Sequence, residues 1–310
     1  MSSKLKHVVI FEGPDVCGKT TSIENLKAFL KSNKKYEVYT PRFPNYNACR
    51  GEEIKKHLST FVFHDQYEKE RPLSILNALD ENSINMMINK LDVISGVLIK
   101  EIMDRDCDIV LIDRFVMSQF IYDYCWIGMF EAAFKAEDCY KQEYIEKFAE
   151  RIREFEKEIY DRASIVWNYF VHKIHNSFGD NVKISNIVFQ KSDYITDIFK
   201  RNVSKDLRKY DAYDKMHLYQ NLISEQFEKL SNANNEKVLS LLGKEKDNLH
   251  FVNFDTVKEK TLKELSNKIK NVDNLTKYDI QNYVTEEMNY ILADIIGEEF
   301  ACEEPTNENS

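Results

Sequence analysis

Apolar and polar positions along this chain follow two rhythms, and each change of rhythm marks an element. Short runs rich in β-branched and aromatic residues occur at His7–Phe11, Tyr36–Thr40, Ile109–Ile112, Ile184–Phe189 and Leu249–Phe254, and each reads as a strand. Ile109-Val110-Leu111-Ile112 is apolar throughout, as expected for a strand covered on both faces. Helical spacing fills the intervals, as with Ile23, Leu26, Phe29 and Leu30 after the first strand. The order predicts an α/β fold in which a mostly parallel sheet carries helices on both faces.

Two stretches stand outside that alternation. Between about residues 130 and 180, Ile145, Phe148, Ile152, Phe155 and Ile159 recur at helical spacing among charged residues, which predicts a helical insertion. From Val272 onward, Ile280, Tyr283, Val284, Met288, Ile291, Leu292 and Ile295 trace another amphipathic helix. It leads to the acidic, polar tail Glu303–Ser310, a composition expected to be disordered. There is no internal repeat and no Pro/Gly/Ser linker. The reading is therefore one elaborated domain over residues 1–271, followed by a C-terminal helix and tail over 272–310.

Composition narrows the class. With 43% hydrophobic residues in 310, the chain can bury a large core and is not a disordered protein. A net charge of −9 argues against a bulk electrostatic grip on nucleic acid. No run reaches the length of a membrane span, and the first residues enter a strand without a secretory leader, so a cytoplasmic location is expected. The six cysteines are scattered with no Cys-x-x-Cys pair, which predicts neither a zinc site nor a disulfide framework.

The candidate chemistry follows the first strand. Gly13-Pro14-Asp15-Val16-Cys17-Gly18-Lys19-Thr20-Thr21 matches G-x-x-x-x-G-K-[ST] between a strand and a helix. Gly13 and Gly18 let the backbone turn so that N–H groups and the helix N-terminus face a polyphosphate. Lys19, expected on an exposed loop, would reach the β and γ oxygens, and the Thr20 hydroxyl would bind Mg²⁺. Cys17 fits a small packing residue better than a nucleophile. Two arginines also stand at predicted strand ends, Arg42 in Thr40-Pro41-Arg42-Phe43-Pro44 and Arg114 in Asp113-Arg114-Phe115. Ligands of open parallel sheets sit at such ends, and paired guanidinium forks suit a second phosphorylated ligand.

Phe11–Thr21, Pro41-Arg42-Phe43-Pro44 with Gly51, Ile54 and Leu58, and Asp113–Tyr122 together resemble the signature segments of thymidylate kinases. The resemblance spans roughly residues 7–125 and, more faintly, 184–270. It implies a P-loop kinase fold with a five-stranded parallel sheet and a mobile lid, and γ-phosphoryl transfer from ATP to dTMP with Mg²⁺. It implies that Asp15 binds the acceptor sugar hydroxyl, that Arg42 and Phe43 line the acceptor phosphate site, and that Asp113 holds magnesium or its water shell. Arg114 would bridge the acceptor phosphate and the transferred group, with Tyr122 and Tyr219 beside the acceptor. The family is commonly dimeric, which allows a homodimer; its partner is a small nucleotide, with no nucleic acid and no membrane.

A basic cluster, Lys200, Arg201, Lys205, Arg208 and Lys209, lies between the last two strands in an otherwise acidic chain. A charge run alone fits a solvated helix face, but kinases close basic lids over phosphates. The lid is read at about 199–214, with Asp211-x-Tyr213-Asp214 and then Tyr219-Gln220 resembling the family's lid exit. Val16 stands where some relatives place a loop Arg, so Arg201 or Arg208 is expected to supply the missing charge. The family's base-reading aromatic and Arg are best matched by Met86 and Lys90, or in another alignment by Ile88 and Asp92. Other functions stay open: a kinase for another deoxynucleoside monophosphate, a deoxynucleoside kinase with Glu12 as base, or a non-catalytic nucleotide-binding interaction protein.

Overall fold

Five strands lie side by side, every neighbouring pair parallel, in the order β2-β3-β1-β4-β5. They are β1 (His7–Glu12), β2 (Val38–Tyr39), β3 (Ile109–Asp113), β4 (Lys183–Phe189) and β5 (Leu249–Val252). The computed structural model describes residues 5–45, 95–135, 142–203, 217–232, 235–268 and 275–297. Each strand grows from one of the predicted runs, with two corrections: of Tyr36–Thr40 only Val38–Tyr39 pairs as a strand, and the last run is cut short. β5 stops at Val252, because the Asn253 side chain accepts from the N–H groups of Asp255 and Thr256 and starts a helix at Phe254.

Strand side chains alternate between two apolar layers. Val8, Ile10, Val110, Ile112, Ile184 and Val188 enter one, while Val9, Phe11, Ile109, Leu111, Ile187 and Phe189 enter the other. The first layer is covered by α2 (Val116–Lys135), α3 (Gln142–Phe178), α5 (His217–Ser231) and α6 (Glu236–Leu242). The second is covered by α1 (Lys19–Lys34), α7 (Phe254–Lys268) and α8 (Lys277–Ile295), with α4 (Asp193–Val203) at its margin. Thus β1 feeds a helix on one face, and its neighbour β3 feeds a helix on the other. That arrangement opens a crevice at the carboxyl ends of β1 and β3.

The two additional regions thicken these layers. The insertion takes the form of an extended α2 followed by the 37-residue α3, about 55 Å at 1.5 Å per residue. Ile152, Phe155 and Ile159 of α3 are buried as the spacing predicts, and the Trp167 indole donates to the Leu242 carbonyl at 3.2 Å. On the opposite face α8 begins with a Thr276–Asp279 capping box and buries Val284, Met288 and Leu292. It packs on α1 through Phe29 and Tyr290, and on α7 through Lys260 and Glu287. No helix among the described residues is long and apolar enough to cross a membrane.

Candidate active site

The loop between β1 and α1 turns sharply against two neighbours. Gly13 has φ 140°, and a Cβ there would lie 2.4 Å from the Phe189 carbonyl oxygen. Gly18, at φ 91°, would put a Cβ 2.6 Å from the Phe254 ring. Both positions therefore require glycine. Val16 also takes a left-handed φ of 56°, an unfavourable conformation for a β-branched residue.

Lys19 is not on an exposed surface. Its side chain is folded under the loop and donates to the carbonyls of Gly13 at 2.9 Å and Pro14 at 2.5 Å, and to Cys17 Sγ at 3.3 Å. Burial first, and then the Arg114 charge, pull its ammonium below the ordinary lysine range. Cys17 is buried in the α1-side layer, as a packing residue would be. Thr20 and Thr21 open α1 on its exposed side.

The end of β3 faces the loop. Thr20 Oγ1 donates to Asp113 Oδ2 at 2.8 Å, while the buried Asp113 Oδ1 makes no hydrogen bond. A divalent cation suits this pair, since a carboxylate oxygen without a donor is a ready ligand beside a hydroxyl. Among the described residues no three His, Cys, Asp or Glu side chains converge, so a cation here would draw its remaining ligands from phosphate and water.

Arg114, also at a left-handed φ of 68°, turns its guanidinium back over the loop. It pairs with Asp15, approaches the Gly13 carbonyl at 3.4 Å and lies 4.9 Å from the centre of the Tyr122 ring. Burial works against the Asp15 charge, but Arg114 and then Lys19 hold its carboxyl below the usual range. Arg42 joins the end of β3 through backbone pairing around Asp113, and its own side chain is 71% exposed. Its Nε lies 4.0 Å from Asp113 Oδ2.

Two expected acceptor residues sit deeper than a binding role requires. The Phe43 ring is 2% exposed and packs edge-on against Phe115 at 5.3 Å, anchoring the Arg42 turn. Tyr219 is 1% exposed, and its hydroxyl donates to the Tyr122 carbonyl at 2.8 Å. The neighbouring Gln220 reaches the site instead, donating to Asp15 Oδ2 at 3.1 Å. Met86, Lys90 and Arg208 lie outside the described residues, as do Gly51, Ile54, Leu58 and the lid from 204 to 214. Arg201 is carried on α4, of which only the backbone is described at that point.

Glu12 is the residue that the motif does not announce. Alternation along β1 sends it to the α2 side, where it is 1% exposed. Its Oε1 accepts from the Phe115 N–H at 3.1 Å, and its Oε2 from the Ser118 N–H at 3.1 Å and the Ser118 hydroxyl. Burial pushes its carboxyl up to about 7, against the opposing pull of Ser118, Arg114 and Lys19. In this arrangement both its oxygens are committed to Phe115 and Ser118 at the start of α2.

No family model and no curated protein matches the chain. Among solved structures it is similar to the thymidylate kinase of Candida albicans, with 11% identity over 84% of this chain and 91% of that one, at a TM-score of 0.39. It is also similar to the thymidylate kinase of Ehrlichia chaffeensis, with 19% identity over 64% of this chain and 97% of that one, at a TM-score of 0.24. The architecture is that of five parallel strands in the order 2-3-1-4-5 between two helical layers, and solved thymidylate kinases from two species are among the structures it resembles.

Proposed function

We propose that this chain is an ATP-dependent nucleoside monophosphate kinase that moves the γ-phosphoryl of ATP to dTMP, giving dTDP and ADP. The observation that carries the reading is the convergence at the β1/β3 crevice. Lys19 and Thr20 from the loop face Asp113 and Arg114 from β3, with Arg42 at the neighbouring strand end. A phosphate-binding loop opposed by a second set of cations suits two phosphorylated ligands meeting head to head.

In this reading the loop N–H groups and Lys19 hold the ATP phosphates, Lys19 exchanging the Gly13 and Pro14 carbonyls for phosphate oxygens. Thr20 and Asp113 would hold Mg²⁺, which neutralises charge on the phosphates. Arg42 binds the acceptor phosphate, Asp15 the acceptor sugar hydroxyl, and Arg114 spans acceptor and transferred group. No general base is required, because a monophosphate oxygen is already ionised at pH 7 and positioning with charge neutralisation carries the catalysis. Arg201 or Arg208 of the lid supplies the charge that Val16 cannot.

The test is ADP release coupled to a reporter, measured with each deoxynucleoside monophosphate and each deoxynucleoside as acceptor. The expected result is Mg²⁺-dependent turnover with dTMP and none with thymidine. Turnover with a nucleoside alone, or with no acceptor at all, defeats the proposal.

A further inference from the structure

The first turn of α2 has no cap of its own. The residues leading into it are Arg114 and Phe115, and neither side chain offers an acceptor to the free N–H groups of a helix start. The acceptor comes instead from β1, a strand more than a hundred residues earlier in the chain. Glu12 takes the N–H groups of Phe115 and Ser118 together with the Ser118 hydroxyl. The preceding residue of β1 takes the other side of the same hinge, since the Phe11 carbonyl accepts from the Arg114 N–H at 2.9 Å. Consecutive residues of one strand thus bracket Arg114 before and after, and Arg114 is the residue whose backbone is turned to φ 68°.

Resting on the kinase reading above, we propose that Glu12 is the positioning residue of the site: by capping α2 from β1 it fixes the hinge that swings the Arg114 guanidinium over the phosphate loop. The acidic side chain is required for its acceptors. Three donors converge on two buried oxygens. An ionised carboxylate accepts from all three, and a protonated one still accepts from both N–H groups by giving its hydrogen to the Ser118 hydroxyl oxygen. An amide has only one oxygen to offer. An isosteric amide would turn an N–H₂ group against N–H donors and tilt the first turn of α2. Arg114 is joined directly to that turn, so the tilt passes to its side chain, away from Asp15 and Gly13.

Two readouts on the full chain separate positioning from mere support. The first is a double-mutant cycle of turnover, because residues acting through one another are non-additive while independent ones add. Glu12→Gln is expected to lower kcat at least about tenfold with little change in KM for ATP, and adding it to Arg114→Ala is expected to cost almost nothing further. Ser118→Ala, which removes one of the three donors and leaves the Glu12 side chain and both N–H bonds in place, is expected to act in the same direction more weakly. Additive losses, or an unchanged kcat in both Glu12→Gln and Ser118→Ala, would overturn the proposal. The second readout needs no turnover: the Arg114 side-chain N–H resonance in the ligand-free protein, identified by its loss in Arg114→Ala. It is expected to move to the position of a solvent-averaged arginine in Glu12→Gln, and its persistence unchanged there would equally overturn the proposal. A wild type without kinase activity therefore removes the kinase reading while the resonance still decides on Glu12. If Glu12→Gln does not fold, Ser118→Ala carries both measurements.

Discussion

Strand β1 buries an ionisable group at each end, and the two are handled in opposite ways. At its carboxyl end Glu12 is surrounded by donors, beside Lys19, Asp15 and Arg114, and two left-handed residues, Val16 and Arg114, flank it. At its amino end His7 is 4% exposed and lies between a carbonyl and a hydroxyl. Its Nδ1 faces the Ile296 carbonyl at 3.2 Å, so that nitrogen must carry the hydrogen; Nε2 then accepts from Ser185 Oγ at 2.9 Å. The imidazole is neutral and fully satisfied, and it ties the end of α8 to the sheet. One end gathers several charges beside two left-handed backbone positions; at the other a single neutral ring has both nitrogens bonded.

The sharpest way to break that contrast is to remove the cation at the working end. Lys19→Ala is expected to lower turnover by about 10²–10³-fold, the usual loss when one preorganised charge contact disappears. Its donors serve only loop atoms, Gly13, Pro14 and Cys17, so the sheet is expected to remain folded by circular dichroism. A variant keeping more than about a tenth of wild-type turnover would remove Lys19 from the phosphate site.

The two ends of β1 also predict opposite pH dependences of stability. Burial lowers His7 from 6.5 to about 4, with the neighbouring charges of Lys183 and His250 adding to that direction. Between those values the unfolded chain binds the extra proton, so this contribution is lost as pH falls from 6.5 to about 4. Burial raises Glu12 from 4.5 to about 7, so there the folded chain binds the proton, and that contribution is lost as pH rises through the same region. Each amounts to about 3 kcal/mol over its window, and together they nearly cancel. Denaturant unfolding of His7→Gln between pH 4.5 and 6.5 is expected to show stability falling with pH, and Glu12→Gln the reverse. Equal slopes in the two variants would mean that neither group is the one titrating.

A smaller effect separates the two sides of the crevice. Arg42→Ala is expected to raise KM for dTMP about tenfold while leaving KM for ATP within about twofold, because binding lost on one ligand appears in that ligand's KM alone. The exposed Arg42 side chain makes stability a poor alternative explanation. Parallel increases in both constants would demote Arg42 to a residue that shapes the loop as a whole.

Much of this was legible in the sequence, and the reasons differ by region. The strands announce themselves because a parallel sheet buried on both faces needs unbroken apolar runs, as at Ile109–Ile112. The positions of Lys19 and Thr20 at the turn from β1 into α1 were legible through fixed spacing next to a strand, while Asp113 was singled out only by the resemblance. The structure joins Thr20 to it by a hydrogen bond. Glu12 as a cap was not, because its donors lie on another element whose docking no local pattern encodes. The same holds for Gln220 in place of Tyr219. Adjacent residues on α5 point in different directions, and only packing on α2 decides that the tyrosine enters the core while the amide meets Asp15. His7 reads as an ordinary strand residue until the return of the chain at Ile296 gives its ring a partner.

The smallest effect tests whether strain at the working end is real. Val16 holds φ 56° on a partly buried loop, where a β-branched side chain crowds its own backbone. The left-handed conformation costs an ordinary residue roughly 1–2 kcal/mol, and glycine nothing. Against this, glycine loosens the unfolded chain by about 0.4–1 kcal/mol, so Val16→Gly is expected to stabilise the protein by up to about 1.6 kcal/mol. His7→Gly, in an unstrained strand, is expected to destabilise it by more. Function should move the other way at Val16. A glycine there no longer holds the loop in one shape, so KM for ATP is expected to rise a few-fold even as the protein melts later. Val16→Gly melting earlier than wild type would show that the valine is packed well enough to offset its backbone. The left-handed turn would then be a feature of the fold and not a strained element of the phosphate site.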